Sequence, residues 1–125
     1  MTNFSTEWKS SSKPKKQRKY RLNAVLHVKQ KFMHSHLSKE LRKKYGKRSM
    51  GLRKGDRVKI LRGQFKKHEG KVERIDMRNT RVFINGAEYS KKDGTTILLG
   101  MSPSNIMITE LAFEDKSRQK LAERK

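Results

Sequence analysis

The chain has 125 residues, which allows one domain of ordinary size with extensions. Lys and Arg number 33 against 12 Asp and Glu, giving a formal charge of +21, and only 32% of the residues are hydrophobic. Such a chain cannot pack its whole length into one core, and its charge indicates a polyanionic partner, with nucleic acid ahead of an anionic membrane.

Several classes of protein are excluded by what the sequence lacks. There is no cysteine, so disulfides and cysteine-based zinc sites are excluded, which fits a reducing compartment. The longest nearly apolar run, Ile97–Met101, is far too short to span a bilayer. The first five residues lack an apolar signal core. We therefore expect no membrane insertion.

The positive charge is concentrated near the N-terminus. Residues 1–54 carry 17 basic and 2 acidic side chains, whereas residues 55–112 carry 11 and 7. This asymmetry predicts a basic N-terminal extension, residues 1–51, joined to a compact module. Residues 9–21 have no apolar periodicity, so we expect this run to be disordered alone and extended on a polyanion. We expect residues 1–22 as a whole to be disordered in the free protein and ordered on RNA. A nuclear-localisation signal or a solvated tail is the alternative for this run.

Two short helices are predicted between residues 23 and 46. Asn23 is expected to cap the first and Ser35 the second. The apolar residues with helical spacing are Val25, Val28 and Phe32 in the first helix and Leu37 and Leu41 in the second. Cations in the last turn and Gly46 just beyond it predict where the second helix ends. Their apolar stripes are thin, so we expect both helices to lie on a partner surface.

Residues 52–112 are predicted to form a small β-barrel, because short runs of alternating apolar and polar residues are separated by turn sequences. The residues expected to point inward are Val58, Ile60, Val72, Ile75, Val82, Ile84, Ile97, Leu99, Ile106 and Ile108. The turn sequences are Arg78-Asn79, Asn85-Gly86, Asp93-Gly94 and Ser102-Pro103-Ser104. The spacing of Val72 and Ile75 breaks the alternation and predicts a β-bulge that curls the sheet. Residues 113–125 then form a C-terminal helical tail, with Leu121 as its main apolar contact.

Residues 53–76 resemble a KOW motif. Gly55-Asp56 sets the turn into an alternating strand, and Gly63 ends that strand where a positive φ is easiest for glycine. A basic loop follows, and Gly70 leads into the next strand. The loop residues that place cations around one aromatic ring are Arg62, Phe65, Lys66, Lys67 and His68. Cations suit phosphates and the ring suits a base or sugar of irregular RNA, while packing of the ring on the barrel end is a compatible alternative.

Blocks on both sides of the motif extend the resemblance. Upstream they are Leu37-Ser38-Lys39-Glu40-Leu41-Arg42, Lys44-Tyr45 and Arg48-Ser49-Met50, and downstream they are Asp93-Gly94-Thr95-Thr96, Gly100, Pro103-Ser104 and Ile108-Thr109. In this order they resemble the archaeal and eukaryotic branch of the universal large-subunit ribosomal protein family L twenty-four, called L twenty-six in eukaryotes. The resemblance covers residues 13–125. It departs from the family at Lys67, where the motif usually has glycine.

The resemblance implies a mainly β fold class: a small SH3-like barrel, the KOW domain, with a basic, partly helical N-terminal extension and a short C-terminal helix. It implies a structural constituent of the large ribosomal subunit that binds the 5′ domain of large-subunit rRNA early in assembly and lies near the polypeptide exit. The expected partners are that rRNA and neighbouring large-subunit proteins in the cytoplasmic ribosome. No cofactor, metal or small-molecule substrate is expected.

The residues expected to contact rRNA are cations of the extension and of the motif, together with polar and aromatic loop residues. They are Lys13, Lys15, Lys16, Arg18, Lys19, Arg21, Lys39, Arg42, Lys43, Arg48, Arg53, Lys54, Arg57, Arg62, Gln64, Phe65, Lys66, Lys67, His68 and Lys71. Gly55, Gly63 and Gly70 are expected to shape the backbone turns. Recognition should rest on RNA shape and backbone, because neither region has the side-chain pattern of a groove-reading helix.

Two other functions fit parts of the sequence. A KOW module of a transcription elongation factor would dock on RNA polymerase, but such proteins share only the motif and usually carry an α/β domain before it. An enzyme would need a catalytic set. His34 and His36 are expected on different faces of a helix, which disfavours a zinc pair. Glu73 and Asp76 are interpreted as part of a solvated charged face rather than as an acid–base pair.

Overall fold

The computed structural model describes residues 10–124, and its largest element is a curled seven-stranded sheet. The strands are β1 (His34–Leu37), β2 (Ser49–Gly51), β3 (Arg57–Ile60), β4 (Glu69–Asp76), β5 (Arg81–Ser90), β6 (Thr96–Met101) and β7 (Ile106–Glu110). The α-helices are α1 (Pro14–Asn23), α2 (Leu26–Phe32), α3 (Lys39–Tyr45) and α4 (Lys116–Glu123), and a 3-10 turn covers Pro103–Asn105. The strand order is β2-β1-β7-β3-β4-β5-β6, and among these described strands β1 and β7 form the parallel pair. The mainly β prediction is confirmed, and the curled sheet is consistent with an SH3-like barrel.

The core matches most of the predicted inward set. The fully buried members are Val58, Ile60, Val82, Ile84, Ile106 and Ile108. Val72 is 2% exposed. Ile75 and Leu99 are half-buried and pack against this core, whereas Ile97 is half-buried opposite Tyr89 in the β5–β6 pair. Each fully buried aliphatic side chain contributes roughly 1.5–3 kcal/mol, so the local alternation identifies a main source of stability.

Besides a register shift of β3 against β7 at Arg57 and Val58, two irregularities interrupt the pairing of β5 with its neighbours. The register of β4 against β5 shifts between Val72 and Arg74, so the predicted β-bulge is confirmed. The turn predicted at Asn85-Gly86 is wrong, because both residues lie inside β5. Gly86 has a φ of +84°, and the register of β5 against β6 shifts around it, so the pair makes a bend within a continuing strand. The other predicted turns are confirmed at Arg78-Asn79, Asp93-Gly94 and Ser102-Pro103-Ser104.

Part of the predicted N-terminal extension joins the sheet as β1 and β2. These strands pair antiparallel with each other, and β1 also pairs with β7. The helix cap predicted at Ser35 is wrong: this residue lies in β1, and its buried hydroxyl donates to the Pro103 carbonyl at 2.6 Å. Leu37 and Met50 are buried in the core. Their burial within strands that pair with each other, and in β1 also with β7, overrides the thin helical pattern.

The helix α3 begins later than predicted and ends where predicted. Ser38 is its N-cap, and the Ser38 hydroxyl accepts a hydrogen bond from the Leu41 amide at 3.4 Å. Gly46 closes the helix in the left-handed conformation, with a φ of +65°. The predicted stop at Gly46 is therefore confirmed, as is the cluster of cations in the last turn.

The segment Pro14–Asn23 is a helix, which differs from the disorder predicted for residues 9–21 in the free protein, while their extended conformation on a polyanion stays a prediction. Lys, Arg and Gln favour helix, and a proline opens the first turn. The cap predicted at Asn23 is also wrong, because Asn23 ends α1. α1 buries none of its residues and contacts α2 through two rings 6.4 Å apart. Residues 1–9 lie outside the described residues, and ordering of the arm on RNA stays a prediction.

The C-terminal helix α4 is anchored differently from the prediction. Asp115 is its N-cap and accepts a hydrogen bond from the Ser117 amide at 2.9 Å. Leu121, the predicted main apolar contact, is 51% exposed, so that prediction is wrong. Arg118 and Ala122 are buried instead, at 2% and 0% exposure. The helix therefore reaches the core through one charged and one small side chain.

The strands before and after residue 52 belong to one sheet. The division into residues 1–51, 52–112 and 113–125 therefore stays a prediction about which segments fold alone. None of the helices within residues 10–124 is long and apolar enough to cross a membrane.

Candidate nucleic-acid interface

The β3–β4 loop, residues 61–68, is the basic loop of the KOW motif. Backbone hydrogen bonds close it at its base, from the Ile60 amide to the His68 carbonyl at 2.9 Å and from the Lys67 amide to the Ile60 carbonyl at 2.8 Å. A further bond inside the loop joins the Lys66 amide to the Gly63 carbonyl at 3.2 Å. Gly63 has a φ of +96°, as its predicted turn role requires. The loop is thus a closed turn on a hairpin, which fixes the backbone from which its side chains project.

Lys67 holds a backbone conformation that usually belongs to glycine. Its φ is +74°, in the left-handed region, where a side chain costs about 1 kcal/mol or more. This is the position where the family motif usually has glycine. The loop therefore keeps the backbone conformation suited to glycine, with an exposed lysine side chain added to it.

Phe65 is half-buried and packs against the hydrophobic core. The packing interpretation of this ring is therefore confirmed. Stacking on RNA by the rest of the ring stays a prediction. The ring also anchors the loop, because it ties the exposed turn to the apolar interior.

His68 fixes the loop against the bend in β5. Its Nε2 lies 3.0 Å from the Asn85 carbonyl oxygen. A Cβ atom added to Gly86 would lie 2.7 Å from this ring nitrogen, and one added to Gly70 would lie 2.5 Å from the Asn85 carbonyl oxygen. Position 70 therefore requires glycine because the backbone of β5 comes too close for a side chain. Position 55 requires glycine because its φ of +91° lies in the left-handed region. The turn role predicted for Gly55 is therefore confirmed, whereas the turn predicted at Gly70 is wrong, because Gly70 lies within β4 opposite Val58.

The cations of the loop point into solvent. Arg62, Lys66 and Lys67 are exposed and form no ion pair with any residue in the range 10–124. Gln64 in the loop and Lys71 on β4 are exposed as well. These side chains bear uncompensated charge or free hydrogen-bonding groups, which is what a phosphate backbone requires of a protein surface.

Of three cations near the start of β3, two form ion pairs with carboxylates. Arg53 Nη1 lies 2.7 Å from a carboxylate oxygen of Asp115. The hydrogen bond from Arg53, followed by the bond from the Ser117 amide, lowers the pKa of Asp115 below its usual range. Arg57 faces Glu110 of strand β7 at 3.4 Å. Lys54 is exposed without an acidic partner in the described part of the chain.

A buried ion pair, which we call the Asp56–Arg118 latch, lies beside these cations. Asp56 is 0% exposed and accepts hydrogen bonds from Arg118 at 2.5 and 2.6 Å and from the amides of Arg53 and Ala112 at 2.9 and 3.0 Å. Arg118 also donates to the carbonyls of Gly51 and Ala112 at 3.0 and 2.9 Å. The latch joins the lead-in of β3 to α4. No local pattern in the sequence indicates it, because its partners are 62 residues apart.

The remaining predicted contacts lie on α1, on α3 and beside them. The exposed cations of the arm are Lys13, Lys15, Lys16, Arg18, Lys19 and Arg21. Arg21 also lies 5.7 Å from the centroid of the Phe32 ring. Lys39, Lys43 and Arg48 are exposed, but Arg42 is half-buried and donates through Nε to the Leu37 carbonyl at 2.8 Å. Arg42 is thus partly committed to holding β1 against α3.

The structure places the residues considered for an enzyme on β1 and β4. Asp76 accepts hydrogen bonds from Asn79 and Arg78 and so holds a turn. These bonds, those from Asn79 above all, lower the pKa of Asp76 below its usual range. The placement of His34 and His36 on a helix is wrong, because both lie on β1, two residues apart and hence on one face. No group of three or more potential metal ligands occurs among residues 10–124.

Comparison with known proteins extends beyond the loop. Residues 11–125 match the family described as eukaryotic ribosomal proteins L26 and their archaeal counterparts of the L twenty-four type. The large ribosomal subunit protein uL24 of Methanocorpusculum labreanum is 47% identical over 109 residues, covering 87% of this chain and 90% of that protein. The protein of the same name from Korarchaeum cryptofilum is 44% identical over 115 residues, covering 92% and 88%. The similarity therefore includes the extension and the C-terminal helix as well as the KOW motif.

Proposed function

Since the chain belongs to the family of eukaryotic ribosomal proteins L26 and their archaeal counterparts, we propose that it binds the 5′ domain of large-subunit rRNA early in assembly and lies near the polypeptide exit. By its membership of this family, the chain is a structural protein of the large ribosomal subunit in the cytoplasmic ribosome, and it is not an enzyme. Its partners are rRNA and neighbouring large-subunit proteins.

The observation that carries this proposal is the β3–β4 loop. Arg62, Lys66 and Lys67 have no acidic partner within residues 10–124, although the same chain pairs other surface cations with carboxylates. A closed hairpin holds the backbone that carries these three cations. Each phosphate that they neutralise releases condensed counterions, which favours binding without reading sequence. The exposed cations of α1 add the same contribution from a second element.

Specificity then arises from RNA shape, and a stacked ring adds affinity. Phe65 is half-buried, so part of its ring remains available beside the loop cations. Replacing Phe65 with Ala should lower rRNA affinity by roughly 1–3 kcal/mol with little change in the salt dependence, if the ring stacks on a base. Binding measured well below the melting temperature of the variant separates this effect from the loss of core packing. An unchanged affinity would restrict Phe65 to packing.

The decisive experiment compares a 5′-domain rRNA fragment with a scrambled RNA of equal length over a salt series. We expect tighter binding to the rRNA fragment at every salt concentration, and a larger loss on removal of residues 1–22 than on any change in the loop. Equal affinity for both RNAs at all salt concentrations would leave only a nonspecific polycation and would contradict the proposal.

The alternative of a transcription elongation factor is tested in cell extracts. Tagged chain should sediment with large ribosomal subunits on a sucrose gradient. Purification with RNA polymerase instead would favour the alternative. The coverage of 87% and 92% of the chain by ribosomal relatives supports the first outcome, because proteins that share only a KOW motif would match a shorter segment.

A further inference from the structure

A groove of 790 Å³ lies between the end of α3 and α4. Its lining includes Lys43, Lys44 and Lys47 from α3 and the residues that follow it, and Arg124 after α4. Phe113, in the connection between β7 and α4, contributes an aromatic ring. Of these residues only Lys43 belongs to the rRNA-binding set predicted from the sequence.

The aromatic part of the groove is held in place by packing. Tyr45 is half-buried against the core, and its ring centroid lies 6.1 Å from that of Phe113, with the planes tilted by 59°. The Lys44 ammonium lies 5.3 Å from the Tyr45 centroid. Phe113 remains 40% exposed. One exposed ring is ordinary on a protein surface, but here it has a fixed neighbour and lies among cations in a concave site.

The charge of the groove is largely uncompensated. Glu123 is the acidic residue in its lining, and the Gln119 side-chain amide lies 3.3 Å from the Glu123 carboxylate. Lys47 donates to the Leu121 carbonyl. Lys43, Lys44 and Arg124 form no ion pair with another residue of the range 10–124. An anionic occupant is therefore favoured.

We propose that this groove binds one unpaired nucleotide of RNA, with the base stacked on Phe113 and the phosphate beside Lys43 and Lys44. This inference rests on the proposed function, which supplies RNA as the partner. An acidic peptide would satisfy the cations but leave the exposed ring uncovered, whereas a nucleotide has both an anionic phosphate and a planar apolar face. Recognition of this kind is tolerant of base identity, because every base offers a face for stacking.

The test is an NMR titration of the full chain with adenosine 5′-monophosphate and, separately, with ribose 5-phosphate, which lacks the base. The backbone amides of Gly46 and Phe113 and the side-chain amide of Gln119 report on the groove alone. We expect saturable shifts of these signals with the nucleotide, and affinity about 5- to 150-fold weaker for ribose 5-phosphate. Replacing Phe113 with Leu should remove this preference, while Tyr89→Leu, at another exposed ring, should preserve it.

A second variant keeps the test valid if Phe113→Leu disturbs folding. Lys43→Gln combined with Lys44→Gln should weaken both ligands together and retain the preference for the base. Equal binding of the two ligands, or displacement of the nucleotide by a hexaglutamate peptide at an equal or lower concentration, would overturn the inference.

If the groove does not bind the nucleotide while the chain still prefers the 5′-domain fragment over scrambled RNA, the proposed function stands without this inference. If that preference fails while the nucleotide binds, the fault lies in the proposed function.

Discussion

The Asp56–Arg118 latch and the β3–β4 loop both contain basic side chains and use them for opposite purposes. In the latch both side chains are buried and paired, with the carboxylate also bound by two backbone amides. In the loop the cations are exposed and have no acidic partner in the described part of the chain. A buried charge must be paired because its desolvation is costly, whereas an exposed cation remains free to exchange counterions for phosphate. The abundance of basic residues in the sequence therefore indicates RNA binding only through exposed cations such as those of the loop, and not through the buried Arg118.

The largest expected effect concerns the segments that surround the barrel. Fragment 52–112 lacks Leu37, Met50 and Arg118, whereas fragment 33–124 retains all three. Each missing core side chain costs about 2–5 kcal/mol, and Asp56 would lose its partner. We therefore expect fragment 33–124 to be more stable by several kcal/mol in urea unfolding. Equal unfolding midpoints would show that residues 52–112 form a self-sufficient domain, as predicted from the confinement of the alternating apolar residues to this range.

The next effect isolates the latch in the full chain. Arg118→Met leaves the buried Asp56 carboxylate without its counterion, and we expect a loss of about 3–5 kcal/mol in the free energy of unfolding. Arg57→Met is the matched control, because Arg57 pairs with Glu110 on the surface and should cost at most about 1 kcal/mol. The two values come from urea denaturation of both variants. Similar losses for the two would remove the distinction between buried and exposed charge.

The loop should respond in binding rather than in stability. Lys66→Gln with Lys67→Gln should change the free energy of unfolding by no more than about 0.5 kcal/mol, as is usual for surface positions. The log–log salt dependence of rRNA affinity should flatten by about 0.7–0.9 for each phosphate that the loop no longer neutralises. The same double change at Lys91 and Lys92, in the exposed β5–β6 turn, removes equal charge and should leave the slope unchanged. Equal flattening in both double variants would mean that net charge, and not the loop, governs binding.

The sequence predicted those parts of the fold whose cause is local. The alternation around Val58 and Ile60 predicted the barrel strands, and the glycine after α3 predicted its end. At β1 and within β5 the prediction failed because distant partners decide the local structure there. Residues 34–37 become strand because β2 and β7 pair with them, and Asn85-Gly86 becomes a bend because β5 keeps its partners. The latch follows the same rule, since an arginine on a short C-terminal helix has no sequence signal for burial until the fold brings a carboxylate to it.

The smallest effect tests whether the loop is strained by its own lysine. Lys67 has a φ of +74°, so Lys67→Ala removes the charge and keeps the strain, whereas Lys67→Gly removes both. Glycine relieves about 1 kcal/mol or more of left-handed strain, but the freer unfolded chain offsets about 0.4–1 kcal/mol of this gain. We expect the glycine variant to unfold at a urea concentration equal to or slightly above that of the alanine variant. Both should lose rRNA affinity equally, because they lose the same charge. A glycine variant less stable than the alanine variant would show that the left-handed conformation at this position is not strained. Weaker rRNA binding by the glycine variant than by the alanine variant would show instead that a side chain at position 67 stiffens the backbone of the bound loop.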